Sequence, residues 1–274
     1  MRRALSILAA LWLLHALPTA AAPRAEAWAR WAAHDDSATL SLDHGAWDGL
    51  LERYVVTTAA DGIHRVRYAA FTPADKAALA DYLQRLQAVR ISAYPRAEQK
   101  AYWINLYNAA TLKLVLDHYP VVSITRINIS PGLFARGPWG KKLLTVEGEA
   151  VSLDDIEHRI LRPLWQDPLV HYGVNCASLG CPNLAAEAYT AQNTTRLLES
   201  GARAYVNHPR GVRVADGRLW VSSIYVWFMS DFGGSDAGVV MHLRRWADPA
   251  LAARLRDLRR IDGHDYDWAL NEAQ

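Results

Sequence analysis

Cysteine is scarce in this 274-residue sequence: Cys176 and Cys181 are the whole complement, which excludes a disulfide-dense scaffold. Charge of one sign is also lacking. Thirty Lys and Arg face 28 Asp and Glu, for a net charge of +2, so no uniform basic field exists and no nucleic-acid partner is expected. Beyond residue 22 no apolar run reaches the ~20 residues of a membrane-spanning helix, so none is expected there. A glycine-rich phosphate loop, a Gly-x-Ser-x-Gly elbow and a His-Glu-x-x-His pair are absent. So are internal repeats and low-complexity linkers. What is present is an ordinary globular composition, 51% hydrophobic and 21% charged, which excludes a disordered chain.

The N-terminus has the grammar of a secretory signal peptide: Arg2 and Arg3, an apolar stretch from Leu5 to Leu17, Pro18, then the small residues Thr19 to Ala22. Cleavage after Ala21 or Ala22 and export to the periplasm or medium are expected. These 22 residues hold two Arg and no acid, so the remainder is balanced in charge. That remainder divides into an N-terminal arm with a hairpin and a helix (23–94) and a core (95–271).

Three hairpins are predicted where an acid and a glycine separate β-prone runs: at Asp61-Gly62, Glu147-Gly148 and Asp216-Gly217. Thr72-Pro73-Ala74-Asp75 opens a helix with an N-cap and a proline in its first turn. A second helix follows Pro95 and stops at Tyr119-Pro120. Ser152-Leu153-Asp154-Asp155 resembles a capping box and opens a helix through Arg162. A further helix follows Ser223, and an arginine-rich one covers roughly 239–260. Leu169–Val174 reads as a buried strand leading into a small-residue turn, Asn175 to Pro182. Helices and hairpins mix without strict alternation, so the fold class is α+β in a single compact domain.

Cys176, at the end of that predicted strand, is the candidate nucleophile. Backbone N–H groups at 177–180 could lower its pKa and form an oxyanion hole. Its base would be His158 or His171. In a regular strand His171 and Cys176 point to opposite faces, so that dyad needs a bulge. His158 has Asp154 four residues earlier on the same helix face as an orienter. Glu157 points elsewhere and serves separately. Asn105 and Asn108 interrupt a strong helix, as polar ties or as pocket residues. Ser178 and the tryptophans, Trp139 and Trp227 among them, are candidate substrate contacts, although aromatics also dominate cores. Three other readings stand beside these: a Cys176–Cys181 disulfide, a zinc site that adds His158 and His171, and histidines that are simply buried and satisfied. The expectation carried forward is no metal and no cofactor.

Several stretches together resemble the domain of unknown function 547 family: Ala101–Ala109, Ser152–Leu161, Asp167–Cys176, Ser178–Pro182, Phe228–Gly233 and Tyr266–Asn271. The resemblance covers roughly 95–271 and implies an exported bacterial-type protein of unassigned activity, in a family that also occurs as a domain of plant proteins. It implies that positions matching Cys176 and Glu157-His158 are kept, that the one matching Cys181 can be Ser, and that His171 is matched less universally. His158 is therefore preferred as the base. The reading is a thiol-dependent hydrolase or acyltransferase with a Cys176/His158 dyad, analogous in roles to papain-like and transglutaminase-like enzymes. Its substrate would be a small molecule, peptide or glycan. The alternative is a non-catalytic peptide- or glycan-binding scaffold with a Cys176–Cys181 disulfide.

Overall fold

The computed structural model of the protein describes residues 23–132 and 137–273; the expected signal peptide lies outside them. From Pro23 the chain runs through a 3-10 turn at Ala29–Ala32 into helix α1 (Gly45–Tyr54) and strand β1 (Val55–Val56). Strand β2 (Arg65–Val66) returns antiparallel to it. Thr72 caps α2 (Pro73–Gln87) by accepting from the Asp75 amide, with Pro73 in the first turn. Helix α3 (Arg96–His118) is buried on nearly every side between Ala101 and Leu116, the mark of a helix at the centre of a core.

The remaining predicted hairpins form as β3 (Leu144–Val146) with β4 (Glu149–Val151), and β5 (Val212–Ala215) with β6 (Arg218–Ser222). Glu147, Gly148, Asp216 and Gly217 all have positive φ, which a two-residue turn of this hand requires. Helix α4 (Arg162–Trp165) lies between these hairpins in sequence, as does α5 (Thr194–Val206). Helices α6 (Ser223–Trp227), α7 (Asp236–Trp246) and α8 (Pro249–Leu255) follow, and β7 (Gly263–Asp265) joins β6 in parallel. One apolar cluster surrounds α1, α2 and α3; a second lies among β5, β6, α5 and α7; Leu169 packs against both. The result is α+β. Among the described residues no helix is long and apolar enough to cross a membrane.

Three stretches differ from expectation. The capping box at Ser152 forms, with Ser152 Oγ accepting from the Asp155 amide at 3.1 Å and Asp155 Oδ2 accepting from the Ser152 amide at 2.8 Å. The helix then widens into a π-helix over Asp155–Leu161 before α4. The N-terminal arm lies along that widened turn: the amides of Glu26 and Trp28 donate to the carbonyls of His158 and Arg159, each at 3.0 Å. The predicted buried strand Leu169–Val174 is instead a 3-10 helix, Pro168–Tyr172. Asp167 accepts from the Leu169 amide and Pro168 sits in the first turn, a helix-starting pair that a continuous apolar run does not reveal. The arginine-rich helix divides at Asp248-Pro249, where Asp248 caps α8 and the proline cannot continue α7.

His44 gives the fold an acid sensitivity. It is buried, its Nδ1 meets Tyr82 Oη at 2.7 Å, and its Nε2 has no partner. Burial pushes its pKa down from 6.5 to about 4. Between those values the unfolded chain binds a proton that the folded chain does not, so stability is lost as pH falls through that window. Half-buried His242, also pushed down to about 4 by burial, acts with the same sign. Denaturant midpoints should drop between pH 7 and about pH 4.5, and His44→Phe should flatten part of that drop; an unchanged profile would refute the assignment.

Candidate functional site

Two asparagines in series hold the thiol turn on α3. Asn108 Nδ2 donates to the Gly173 carbonyl at 2.8 Å, and its Oδ1 accepts from the Asn175 amide at 2.9 Å. Asn175 in turn donates to the Pro182 carbonyl at 2.8 Å and accepts from the Ala177 amide at 2.9 Å. Ala177 is held at φ 59°. Asn105 clamps Tyr189 in the same way, at 2.7 and 3.0 Å. Both amide ends of Asn105 and Asn108 are engaged by backbone in the interior. The structure therefore places these two candidates as clamps, not as an orienter and a substrate contact.

Cys176 and Cys181 are free thiols in contact, the first half-buried and the second buried. Cys181 Sγ accepts from the Cys176 amide at 3.0 Å and from Tyr266 Oη at 3.1 Å. Cys176 Sγ lies 3.1 Å from Tyr266 Oη and 3.3 Å from Ser178 Oγ. Burial pushes the Cys181 thiol up, but hydrogen bonds from Cys176, Tyr266 and Ser178 bring it down to about 7. Its hydrogen bond and charge, together with burial, push Cys176 well up. The pair gives up one proton readily and shares the other.

The C-terminal strap supplies Tyr266. The amides of Leu179 and Gly180 donate to the carbonyls of Ala269 and Asp267 at 2.8 Å, and that of Asn271 to the Ala177 carbonyl at 3.2 Å. A Cβ at Gly180 would meet the backbone of Asp267 at 2.8 Å, so only glycine permits this approach. The Ala177, Leu179 and Gly180 amides are thus committed to Asn175, Ala269 and Asp267 and are not free as the predicted oxyanion donors.

Neither histidine is hydrogen-bonded to Cys176. The wide π turn and α4 gather Glu157, His158 and Arg162. Arg162 forks onto Asp231, with Nε–Oδ2 at 2.6 Å and Nη2–Oδ1 at 3.1 Å, and its Nη1 donates to His158 Nδ1 at 3.0 Å. His171 Nε2 binds Asp231 Oδ2 at 2.8 Å, and its ring stacks on Phe228 at 4.6 Å. Glu157 Oε1 lies 3.7 Å from His171 Nδ1 and 3.9 Å from His158 Nδ1, so Glu157 belongs to this cluster. His158 Nε2 faces Asp154 Oδ1 at 3.7 Å. Burial, with the Arg162 and His171 charges, holds the His158 pKa down. Burial and the charges of Glu157 and Asp155 raise Asp154 to about 6.

An aromatic wall connects the two parts. Trp139 meets Trp268 at 5.6 Å, Trp268 meets Trp227 at 5.8 Å and Tyr266 at 4.6 Å, and Trp227 meets Tyr266 at 5.0 Å. The Asp154 amide donates to the Trp139 carbonyl at 3.0 Å. On the inner side Tyr107 donates to Glu157 Oε2 at 3.2 Å, and its phenol feels the charges of Glu157, Cys176, Cys181 and Asp154. Trp139 and Trp227 are thus joined through Trp268. Among the described residues no three His, Cys, Asp or Glu side chains converge as metal ligands, and the ring nitrogens of the zinc reading face Arg162 and carboxylates instead. Sequence reasoning missed Tyr266, Asp231 and Arg162 as site residues. The first two stand within stretches of family resemblance, which was the available signal; Arg162 falls one residue past the end of one.

The structure thus defines an α+β domain with a thiol pair at an aromatic-walled edge. Residues 91–206 match the family described as Protein of unknown function, DUF547. The matched residues contain the thiols and the π turn but not Asp231, Tyr266 or Trp268. No curated protein and no solved structure matches the chain.

Tyr266→Phe removes a hydroxyl that donates to a thiolate, a bond of about 1.5–3 kcal/mol, or roughly one to two pH units. Its effect on Cys181 is downward, so the first thiol titration, followed by ultraviolet thiolate absorbance, should move above 7 in the variant. A midpoint that stays in place would show that Tyr266 does not act on the pair.

Proposed function

We propose that this protein is an exported thiol-dependent hydrolase or acyltransferase acting on a small molecule, peptide or glycan. The observation that carries the reading is the half-buried Cys176 thiol, in contact with a second thiol near neutral pKa and bordered by an aromatic wall. Cys176 Sγ attacks a carbonyl carbon. As the C–S bond forms, the Cys176 proton passes to the Cys181 thiolate, and the carbonyl π pair moves onto oxygen. The Tyr266 and Ser178 hydroxyls donate to that oxyanion. This arrangement uses Cys181 where a Cys176/His158 dyad would use an imidazole, because Arg162 and Asp154 engage both nitrogens of His158.

The test uses the exported protein kept reduced. Iodoacetamide should modify Cys176 with a pH midpoint near 7, and 4-nitrophenyl acetate should release a burst of nitrophenolate with an acetyl group mapped to Cys176. Cys176→Ala should abolish both, and Cys181→Ser should slow the burst by tenfold or more, about 1.4 kcal/mol. Acetylation elsewhere, or none, would overturn the reading. A protein isolated with a Cys176–Cys181 disulfide that reductant cannot open would favour a binding scaffold. N-terminal sequencing of the exported chain tests the export itself, with a start at Ala22 or Pro23 expected.

A further inference from the structure

We propose that Asp154, positioned by His158, is the general acid that protonates the leaving group. This rests on the thiol-enzyme reading above and reverses the roles of a histidine base and its carboxylate orienter.

The argument begins at Arg162. A guanidinium has donors only, so Arg162 Nη1, 3.0 Å from His158 Nδ1, makes that nitrogen an acceptor. The proton of neutral His158 is then on Nε2. Nε2 has no lone pair left to take a proton from a thiol or a water, and it points at Asp154 Oδ1, 3.7 Å away. Protonating Nδ1 instead would set an imidazolium against a buried cation, which is the direction opposed by the lowered His158 pKa. Arg162 cannot turn away, because its fork is held on Asp231 and its Nη1 also donates to the Pro23 carbonyl at 2.8 Å. His158 is therefore a fixed N–H donor and cannot serve as a base.

Asp154 has what His158 lacks. Its side chain is 41% exposed. Its backbone is tied to Trp139, so the carboxyl sits at the Trp139 end of the aromatic wall while Tyr266 and Cys176 occupy the other end. The charged and titratable groups that face it are Glu157, Asp155 and His158 on its own helix and Lys142 from the segment before β3; Gly140 and Ser130 are its uncharged neighbours. Two carboxylates and burial keep it protonated to a higher pH than an ordinary aspartic acid, which is what a general acid needs.

In the step itself the oxyanion pair of the tetrahedral intermediate re-forms the carbonyl, the C–X bond breaks with its electron pair going to X, and X takes the proton from the Asp154 carboxyl. A water then attacks the thioester and gives its proton to the Asp154 carboxylate. The second oxyanion re-forms the carbonyl, the C–S bond breaks with its electrons returning to Cys176 Sγ, and Cys181 returns the proton it took, which restores the Cys176 thiol and the Cys181 thiolate. The 3.7 Å separation of Nε2 and Oδ1 needs to shorten only a little for a hydrogen bond to guide the carboxyl through this cycle, as often happens once substrate is bound.

Two acetate esters separate this step from nucleophilic attack. 4-Nitrophenolate departs unprotonated, whereas the benzyl alkoxide departs only with a proton. Asp154→Asn should slow benzyl acetate turnover by about a hundredfold or more, and by at least tenfold more than it slows the nitrophenyl acetate burst. His158→Phe removes a donor that favours the carboxylate; because the Cys181 thiolate forms only near 7, Asp154 sets the acid-side break of the benzyl ester pH profile near 6, and that break should move upward. In the unmodified protein 15N NMR should find the His158 proton on Nε2. Equal loss on both esters, a proton on Nδ1, or a normal burst with no benzyl ester turnover in the unmodified protein would each overturn the assignment and leave the Cys176 reading intact. Absence of the burst in the unmodified protein would instead sink the thiol reading itself.

Discussion

The guanidinium of Arg162 is the tie on which the site depends. It lies at the junction of the π turn and α4, where it reaches three parts of the chain at once: Asp231 in the 3-10 turn Met229–Phe232 after α6, His158 on the preceding turn, and the Pro23 carbonyl of the N-terminal arm. Its side chain is almost wholly enclosed, so its charge is tolerable only because Asp231 faces it. A buried ion pair gains little over an apolar pair of the same shape, but losing one partner leaves an isolated charge at a cost of about 3–5 kcal/mol. Asp231 serves a second cation-capable group, His171, with the same oxygen. The hydrogen bonds of both partners hold its carboxyl well below the usual range in spite of burial. Position, tautomer and ring orientation of both histidines follow from this one ion pair.

The π turn explains why the arm is needed. Widening a helix breaks the regular bonding of its carbonyls, and such turns recur at functional sites. Here Glu26 and Trp28 lie alongside and satisfy two of those carbonyls, so an apparently peripheral arm completes the element that carries Asp154, Glu157 and His158. The C-terminal strap does the corresponding work for the thiols. Its backbone bonds to the 177–180 turn, which needs glycine at 180, and it delivers Tyr266 and Trp268. Neither arm nor strap lies within the residues matched by the family model.

Much of the fold was legible because its signals are local. An acid-glycine pair between β-prone runs has few alternatives to a tight turn, and Thr72-Pro73 can hardly do other than begin a helix. The stretch 168–174 was not legible in the same way. Its apolar run is consistent with a buried strand or a buried helical turn, and the decision belongs to Asp167 and to the asparagines that receive it on α3. The cysteines, the Glu157-His158 pair and the wall tryptophans were visible as types. Their pairing was not. A π turn shifts which residues share a face, so α-helical spacing could not show that Arg162 would claim Nδ1 of His158. Nor could Tyr266, some 90 positions from Cys176, be assigned to it without the strap.

The consequence is a site divided by chemistry. On one side two thiols share protons with hydroxyls in a nearly closed turn, where donors stabilise a thiolate and Arg210, bonded to the Leu179 carbonyl, lies within range of its charge. On the other, cations and carboxylates neutralise one another around Phe228, whose ring lies against His171, His158 and Arg162. Tyr107 is buried, with its hydroxyl given to Glu157 and its own ionisation opposed by burial and by the charges of Glu157 and the two thiols. Asp154 and Cys176 are the partly exposed titratable members of these two halves.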